Sequence, residues 1–256
     1  MQDIAVETNH EWTEVPRLIR SGKPLGEPWE SLFGALRPTP SGRPMAVGQI
    51  GQSLDGRIAT LTGDSCSING PEGIAHLHRL RAVVDAVVVG AGTVRADDPQ
   101  LTVRHVTGPN PVRVVIDPRG TLPARSRAFL RDGVHRIVIT HQQAHPNVSG
   151  DVETVTLPDT AGRIAPAAIL DALFDRGLCR VLIEGGAQTV SSFLSAGCLD
   201  RLHVVVAPMI LGSGKPGLDL PPITDMAGAL RVPMRTHSLG TEILYDCDLS
   251  GQRARA

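Results

Sequence analysis

VVVGAGTVRADDPQLTVR, Val87 to Arg104, is the stretch on which the fold turns. With Ala86 it opens as an unbroken apolar, β-branched run that stops at Gly90, the pattern of a strand buried on both faces of a parallel sheet. Directly behind that run come Asp97, Asp98 and, after a short alternation, Arg104. Ligands of open α/β sheets bind outside the carboxyl ends of the strands, so charge placed there reads as a binding rim. Pro99 is expected to keep Asp98 extended. The alternation Leu101-Thr102-Val103-Arg104 is expected to set Leu101 and Val103 on one face and Thr102 and Arg104 on the other. Taken alone, the residues leave a second reading open: a solvated loop with an Asp-Pro turn and a surface salt bridge.

Working outward, further short β-branched runs lie at Ala46 to Ile50, Val112 to Ile116, Arg136 to Ile139, Val152 to Val155, Val181 to Ile183 and Leu202 to Val206. Helical stretches alternate with them at Pro71 to Val84, Ala165 to Arg176 and Ala187 to Ala196. The order implies a mostly parallel central sheet with helices on both faces. Beyond Pro208 comes a Gly/Pro-rich segment, Leu211 to Pro222. Two runs, Ala229 to Ser238 and Glu242 to Leu249, then read as a C-terminal antiparallel hairpin. The first 43 residues differ: they hold Trp12, Trp29 and Phe33 and are broken by Pro16, Pro24, Pro28, Pro38, Pro40 and Gly42. They read as an arm with one helix near Trp29 to Leu36, opened by Pro28, that packs on the domain or on a second subunit.

Charge is balanced, 25 Lys and Arg against 26 Asp and Glu, so no long-range field draws the chain to nucleic acid or to an anionic membrane. Cys66, Cys179, Cys198 and Cys247 are scattered without a C-x-x-C spacing, which points to reduced thiols and a cytoplasmic setting. No apolar run approaches the roughly 18 residues that cross a bilayer.

Val181-Leu182-Ile183-Glu184-Gly185-Gly186-Ala187 carries a strand through two glycines into a helix, a junction suited to a phosphate or pyrophosphate or simply to turning the chain. Gly90-Ala91-Gly92-Thr93-Val94 is a second such joint. Arg95 stands where the third glycine of G-x-G-x-x-G would fall, which argues against a Rossmann fingerprint. Asp55-Gly56 marks a tight turn. His76 and His78, two apart, point to different sides of their helix and read as structural. His141 and His145 have helical i, i+4 spacing but lack an adjacent acid, so no metal site is expected.

Together these blocks resemble a known family. Ser53-Leu54-Asp55-Gly56-Arg57-Ile58-Ala59, Leu80-Arg81-Ala82, Gly92-Thr93-Val94 with Asp97-Asp98-Pro99 and Leu101-Thr102-Val103-Arg104, Glu184-Gly185-Gly186-Ala187, and Ala207-Pro208 with Leu211-Gly212 look like the 5-amino-6-(5-phosphoribosylamino)uracil reductases of riboflavin biosynthesis. The resemblance covers roughly Met45 to Asp248. It implies an α/β, dihydrofolate-reductase-like fold for a reductase domain over 44–256, with the arm over residues 1–43 outside it. It also implies NADPH as hydride donor, a phosphorylated small-molecule substrate reduced at ribosyl C1 in its imine form, and a homodimer. By the same resemblance Ser65, Arg81, Asp97, Leu101, Arg104 and Glu184 contact substrate, with Asp97 or a bound water as proton donor. Gly51, Thr93, Gly186, Ala187, Gln188 and Thr189 contact the cofactor, and Arg119 is a candidate partner for the NADP 2′-phosphate.

Three departures qualify the likeness. Ser65-Cys66-Ser67 replaces the S-x-W of the bacterial bifunctional enzyme, the arm has no counterpart, and the zinc deaminase signature H-x-E with P-C-x-x-C is missing. Two further readings therefore stand beside the first: a paralogue reducing another pterin or pyrimidine, and a nucleotide-binding module without turnover.

Overall fold

The computed structural model describes residues 12–37, 42–65 and 68–253. The Ser67 departure from the family aromatic, with Cys66, lies outside those residues, as do the first eleven positions of the arm. In chain order the helices are α1 (Val15–Arg20), α2 (Trp29–Phe33, continued by a tighter turn over Gly34–Leu36), α3 (Pro71–Val83), α4 (Ala91–Asp97), α5 (Pro166–Phe174) and α6 (Ala187–Ser195). The strands are β1 (Met45–Ser53), β2 (Arg57–Thr60), β3 (Ala86–Gly90), β4 (Val112–Ile116), β5 (Arg136–His141), β6 (Glu153–Leu157), β7 (Asp159–Thr160), β8 (Arg163–Ile164), β9 (Arg180–Ile183), β10 (Arg201–Ala207), β11 (Gly214–Pro216), β12 (Met234–Leu239) and β13 (Glu242–Asp248).

Nine strands form one sheet in the order β12-β13-β10-β1-β9-β3-β4-β5-β6. From β10 to β6 every pairing is parallel, while β13 runs antiparallel to β10 and pairs with β12 as the expected C-terminal hairpin. From β3 the chain steps outward to the β6 edge, returns through α5 to insert β9 between β1 and β3, and then crosses to β10. The reversal opens a crevice at the carboxyl ends of β1, β9 and β3, where this sheet type binds its ligands.

Alternation along the strands sorts the apolar residues onto two faces. Val87, Val89, Val115, Val138 and Leu182 share one core with Leu80 and Val83 of α3 and with Trp12, Val15, Ile19, Trp29, Leu32 and Phe33 of the arm. Val88, Val114, Ile137, Ile139, Val181 and Ile183 face Ile169, Leu170 and Leu173 of α5 and Val190 and Phe193 of α6. The arm is thus the outer layer of the first face. Its aromatic rings stack edge-on, Trp12 on Trp29 at 5.2 Å and Trp12 on Phe33 at 5.5 Å, and the Arg79 guanidinium lies 5.0 Å from the Trp29 ring centre.

Polar staples fix the layers. His76 of α3 meets His203 of β10 at 3.0 Å, and His203 meets the Asp246 carboxylate of β13 at 3.1 Å, so a buried chain ties helix to sheet. Burial, the first cause, and the neighbouring His203 and Arg79 hold the His76 ring well below its ordinary pKa, so it sits neutral against Phe33. At the amino ends of the central strands, the Asp85 carboxylate accepts hydrogen bonds from the Cys179 and Arg180 amides at 3.1 and 2.9 Å and from the Arg180 guanidinium at 3.1 and 2.5 Å.

The joint at Gly90 leads into a helix as read from the sequence, α4 starting directly at the glycine that ends β3 and running on to Asp97. The sequence reading needs three corrections. Asp98 is left-handed, with φ 39° and ψ 56°, and caps α4 by donating its amide to the Val94 carbonyl. Short polar residues tolerate that conformation, and here it replaces the extended one expected before Pro99. Leu101 is also left-handed, at φ 57°, and the segment beyond it joins no sheet, so the expected two-faced alternation is absent. The hairpin's first strand begins at Met234 instead of Ala229, since Pro233 has no N–H for a ladder and residues 226–228 wind a tight turn capped by the Asp225 side chain.

Removing the Asp85 carboxylate leaves the Arg180 guanidinium, whose side chain is 8% exposed, without its partner. Asp85→Ala is expected to cost about 3 kcal/mol in urea unfolding with an unchanged m-value. A loss under about 1 kcal/mol would show that the staple is dispensable.

Candidate active site

At the carboxyl end of the sheet the two strand-glycine-helix joints lie side by side. Gly185 adopts φ 85°, and a Cβ there would stand 2.6 Å from the Thr93 hydroxyl oxygen. That hydroxyl accepts the Gly186 amide at 2.8 Å. From the other side Thr189 closes on Gly90, where a Cβ would come within 2.5 Å of the Thr189 hydroxyl oxygen. Thr93, Gly186 and Thr189, expected as cofactor contacts, are therefore brought together, and the Gly186 amide is engaged by Thr93. Ala187 and Gln188 open α6, whose first-turn amides have no intrahelical acceptors and carry the positive end of the helix dipole. Gly92, exposed on α4, has no atom within 4 Å of a hypothetical Cβ, leaving room for a ligand to approach the backbone.

Gly51, also expected at the cofactor, lies on β1 under Asn69, whose side-chain oxygen would be 1.6 Å from a Cβ. Asn69 donates to Glu242 at 2.7 Å, and the other Glu242 oxygen accepts the Gly73 amide at 2.9 Å. This glycine is required by close packing at the start of α3. Arg119 is exposed in the turn after β4, where Gly120, φ 65°, bonds back to the Asp117 carbonyl.

Among the expected substrate residues, Arg81 and Glu184 face each other. The Arg81 Nε and Nη2 each donate to a Glu184 oxygen at 2.7 Å, and both side chains are 6% exposed. The remaining Arg81 Nη1 donates to the Thr102 carbonyl at 3.0 Å. Instead of two separate contacts, the pair forms a bidentate fork that joins α3 to the end of β9 and holds the following loop. Leu101 is buried, and its left-handed turn brings Thr102 to that fork. Arg104 is exposed, with its guanidinium donating to the Thr102 hydroxyl at 2.7 Å. Desolvation first, then the positive charges of Arg81 and Arg127, lower its pKa, while Glu184 acts the other way. Thr102, held at its carbonyl by Arg81 and at its hydroxyl by Arg104, links Arg104 to the Arg81–Glu184 fork, which leads directly into Gly185.

The neighbouring carboxylates divide. Asp97 is exposed and accepts the Ser65 hydroxyl at 3.3 Å, joining two expected substrate residues from distant segments. Asp98 instead accepts the Arg127 amide at 2.7 Å and so fixes the connection after β4. Arg127 was not singled out from the sequence, and no local pattern marks it: it reaches this end through a long connection between β4 and β5.

Two supports were legible in the sequence in other terms, Asp55 as a tight turn and His78 as a structural histidine. Asp55, in the turn between β1 and β2, accepts the Ser53 hydroxyl at 2.6 Å and the Leu211 and Gly212 amides at 3.1 and 2.7 Å. These bonds, the Ser53 one foremost, hold its pKa down to about 2 and pin the Gly-rich loop against β2. His78 is buried beneath the loop that carries Arg104, and its Nδ1 accepts the Arg104 amide at 2.9 Å. Burial, aided by Arg81, His105 and Arg104, lowers its pKa to about 3.

Residues 44–241 match the RibD C-terminal domain family. The chain belongs to that family. It is 35% identical over 217 residues to the 2,5-diamino-6-ribosylamino-4(3H)-pyrimidinone 5′-phosphate reductase of Methanothermobacter thermautotrophicus, covering 82% of this chain and 100% of that protein. It is 36% identical over 176 residues to the riboflavin biosynthesis protein RibD of Aquifex aeolicus, covering 67% of this chain and 48% of that one. The solved bifunctional deaminase/reductase of Thermotoga maritima superposes with a TM-score of 0.69 at 31% identity, over 80% of this chain and 56% of its own. The chain thus spans about half the length of these RibD relatives. The RibD C-terminal domain match excludes the arm, and it includes the whole crevice from Gly51 to Gly186.

Gly185→Ala forces a left-handed backbone and a clash with Thr93, and is expected to destabilise the protein by about 2 kcal/mol in thermal unfolding. Because native His78 resists the proton that the unfolded chain accepts near pH 6.5, its contribution to stability is complete above that pH and is lost as pH falls toward about 3. NMR titration should find the His78 ring neutral at pH 5, and a midpoint near 6.5 would contradict the buried acceptor role.

Proposed function

We propose that the protein is an NADPH-dependent oxidoreductase of riboflavin biosynthesis that reduces a pyrimidine ribosylamine 5′-phosphate at ribosyl C1. The carrying observation is the full-length match to the archaeal reductase, together with Arg104, the Arg81–Glu184 fork and the Gly185-Gly186 joint on one rim. Bound NADPH would supply a hydride from C4 of its nicotinamide ring. α6 and the open surface at Gly92 suit its phosphates, and Thr93 braces the glycine turn beneath them.

Arg104 takes the substrate phosphate, since it is exposed and adds to a local positive field from Arg81 and Arg127. Glu184, locked by Arg81, orients that field and the pyrimidine edge. In the ring-opened form the C1=N carbon gains the hydride and the nitrogen gains a proton, converting ribosyl to ribityl while NADPH becomes NADP⁺. Asp97, steadied by Ser65, delivers that proton directly or through a water. Packing around C1 and the nicotinamide supplies proximity and excludes water.

The pyrimidine itself has two candidates. The aminouracil substrate follows from the sequence blocks, and the 2-amino form is favoured by the likeness to the archaeal 2,5-diamino-6-ribosylamino-4(3H)-pyrimidinone 5′-phosphate reductase, matched over its full length. The two differ only at C2 of the ring, so NADPH oxidation with each ribosylamine phosphate separates them. Turnover with dihydropterins only would make the protein a paralogue, and cofactor binding with no turnover on any of them would make it a binding module. We also read it as cytoplasmic and as a homodimer, and the exposed Ile210, Ile223, Met226, Leu230 and Met234 along the chain from β10 to β12 support the dimer.

Arg104→Ala should raise KM for the phosphorylated substrate by about tenfold to a hundredfold, the loss of one or two charge-assisted hydrogen bonds, with KM for NADPH within about twofold. An equal loss for both ligands would remove Arg104 from the phosphate.

A further inference from the structure

The arm lies outside the matched family region, yet it packs on the loop that carries Arg104. That loop is fixed from within the domain at three points: the Thr102 carbonyl by Arg81, the Val103 amide by the Asn110 side chain at 2.7 Å, and the Arg104 amide by His78. Its far turn is held from the arm. The Trp12 indole N–H donates to the Thr107 carbonyl at 2.7 Å across 95 residues of sequence. At the next position a Cβ on Gly108 would stand 2.5 Å from Ala82 Cβ of α3 and 3.8 Å from Pro16 of α1. The turn is therefore wedged between arm and helix. Trp12 is itself fully buried and braced by Trp29, Phe33 and Arg79, so it is a rigid donor. Arg20 of α1 reaches the Ala82 and Val84 carbonyls at 3.4 Å, closing the arm over the end of the helix that bears Arg81.

We infer that Trp12 is a positioning residue for substrate binding, holding the turn at Thr107-Gly108 so that Arg104 presents its guanidinium to the phosphate. The role rests on the phosphate assignment made above for Arg104. The indole N–H acts three residues beyond Arg104, on a turn held by the arm from one side and by van der Waals contact with Ala82 from the other.

The test compares the ribosylamine 5′-phosphate with the same ribosylamine lacking its phosphate, in the full chain with NADPH. Trp12→Phe keeps an aromatic ring in the cluster and removes the N–H. It should raise KM for the phosphorylated substrate by about fivefold, the weight of one hydrogen bond, with kcat, KM for NADPH and KM for the dephosphorylated substrate each within about twofold. Gly108→Ala, which displaces the same turn from the other side, should shrink the preference for the phosphorylated substrate in the same way. Thermal unfolding of both variants separates this selective effect from general loss of fold. A uniform loss on both substrates, or an unchanged preference in both variants, would overturn the positioning role. Arg104→Ala distinguishes the two levels. If it abolishes the phosphate preference while Trp12→Phe and Gly108→Ala leave it intact, only the arm's role fails. If it leaves the preference intact, the phosphate assignment fails and the arm's role fails with it.

Discussion

The buried fork between Arg81 and Glu184 is the constraint on which the site depends. Two opposite charges withdrawn from water cost several kcal/mol each to desolvate, and the geometry recovers this only because both Arg81 nitrogens meet both Glu184 oxygens and the third finds the Thr102 carbonyl. A pair of this kind contributes more to registry than to net stability. It sets α3 against the end of β9, and through Thr102 it sets where the Arg104 loop begins. The Arg81 and Glu184 charges also lie close enough to act on Arg104, so one interaction fixes both the shape and the field of the rim.

Charge is partitioned between the two ends of the sheet. At the amino end Asp85 and Asp200 accept backbone amides of neighbouring strands and pair with arginines, holding β3 against β9 and β10 against β1. At the carboxyl end glycines replace such staples, and the strands stop at turns whose hydroxyl partners, Thr93 and Thr189, come from the opposite joint. The closed end supplies rigidity and the open end leaves backbone and arginine for a ligand. The order of strands produces this division, because β9 enters between strands formed much earlier in the chain.

The arm completes one face of the sheet. Without Trp12, Ile19, Trp29 and Phe33, the outer side of α3, the His76 ring and the Arg79 guanidinium would lose their apolar cover. The helix that carries Arg81 and its fork to Glu184 is thereby packed on its outer side as well.

Strands and main helices were legible in the sequence, since a run buried on both faces, such as Ala86 to Val89, or a helix opened by proline, such as Pro71 to Val83, declares itself through local steric and hydrophobic pattern. The convergence of Gly185-Gly186, Thr93 and Arg104 was legible too, through the rule that ligands collect at the carboxyl ends of such strands. What remained hidden was pairing. The residues Arg81 and Glu184 could be named as site residues, but their engagement with each other depends on α3 and β9 meeting across 103 residues. The left-handed turns at Asp98 and Leu101 follow from a helix cap and a buried side chain, which no local propensity encodes. Trp12 could be placed in an apolar arm, and only the packed layers decided that its N–H would reach Thr107, because a hydrogen bond between distant segments is specified by the geometry that brings them together.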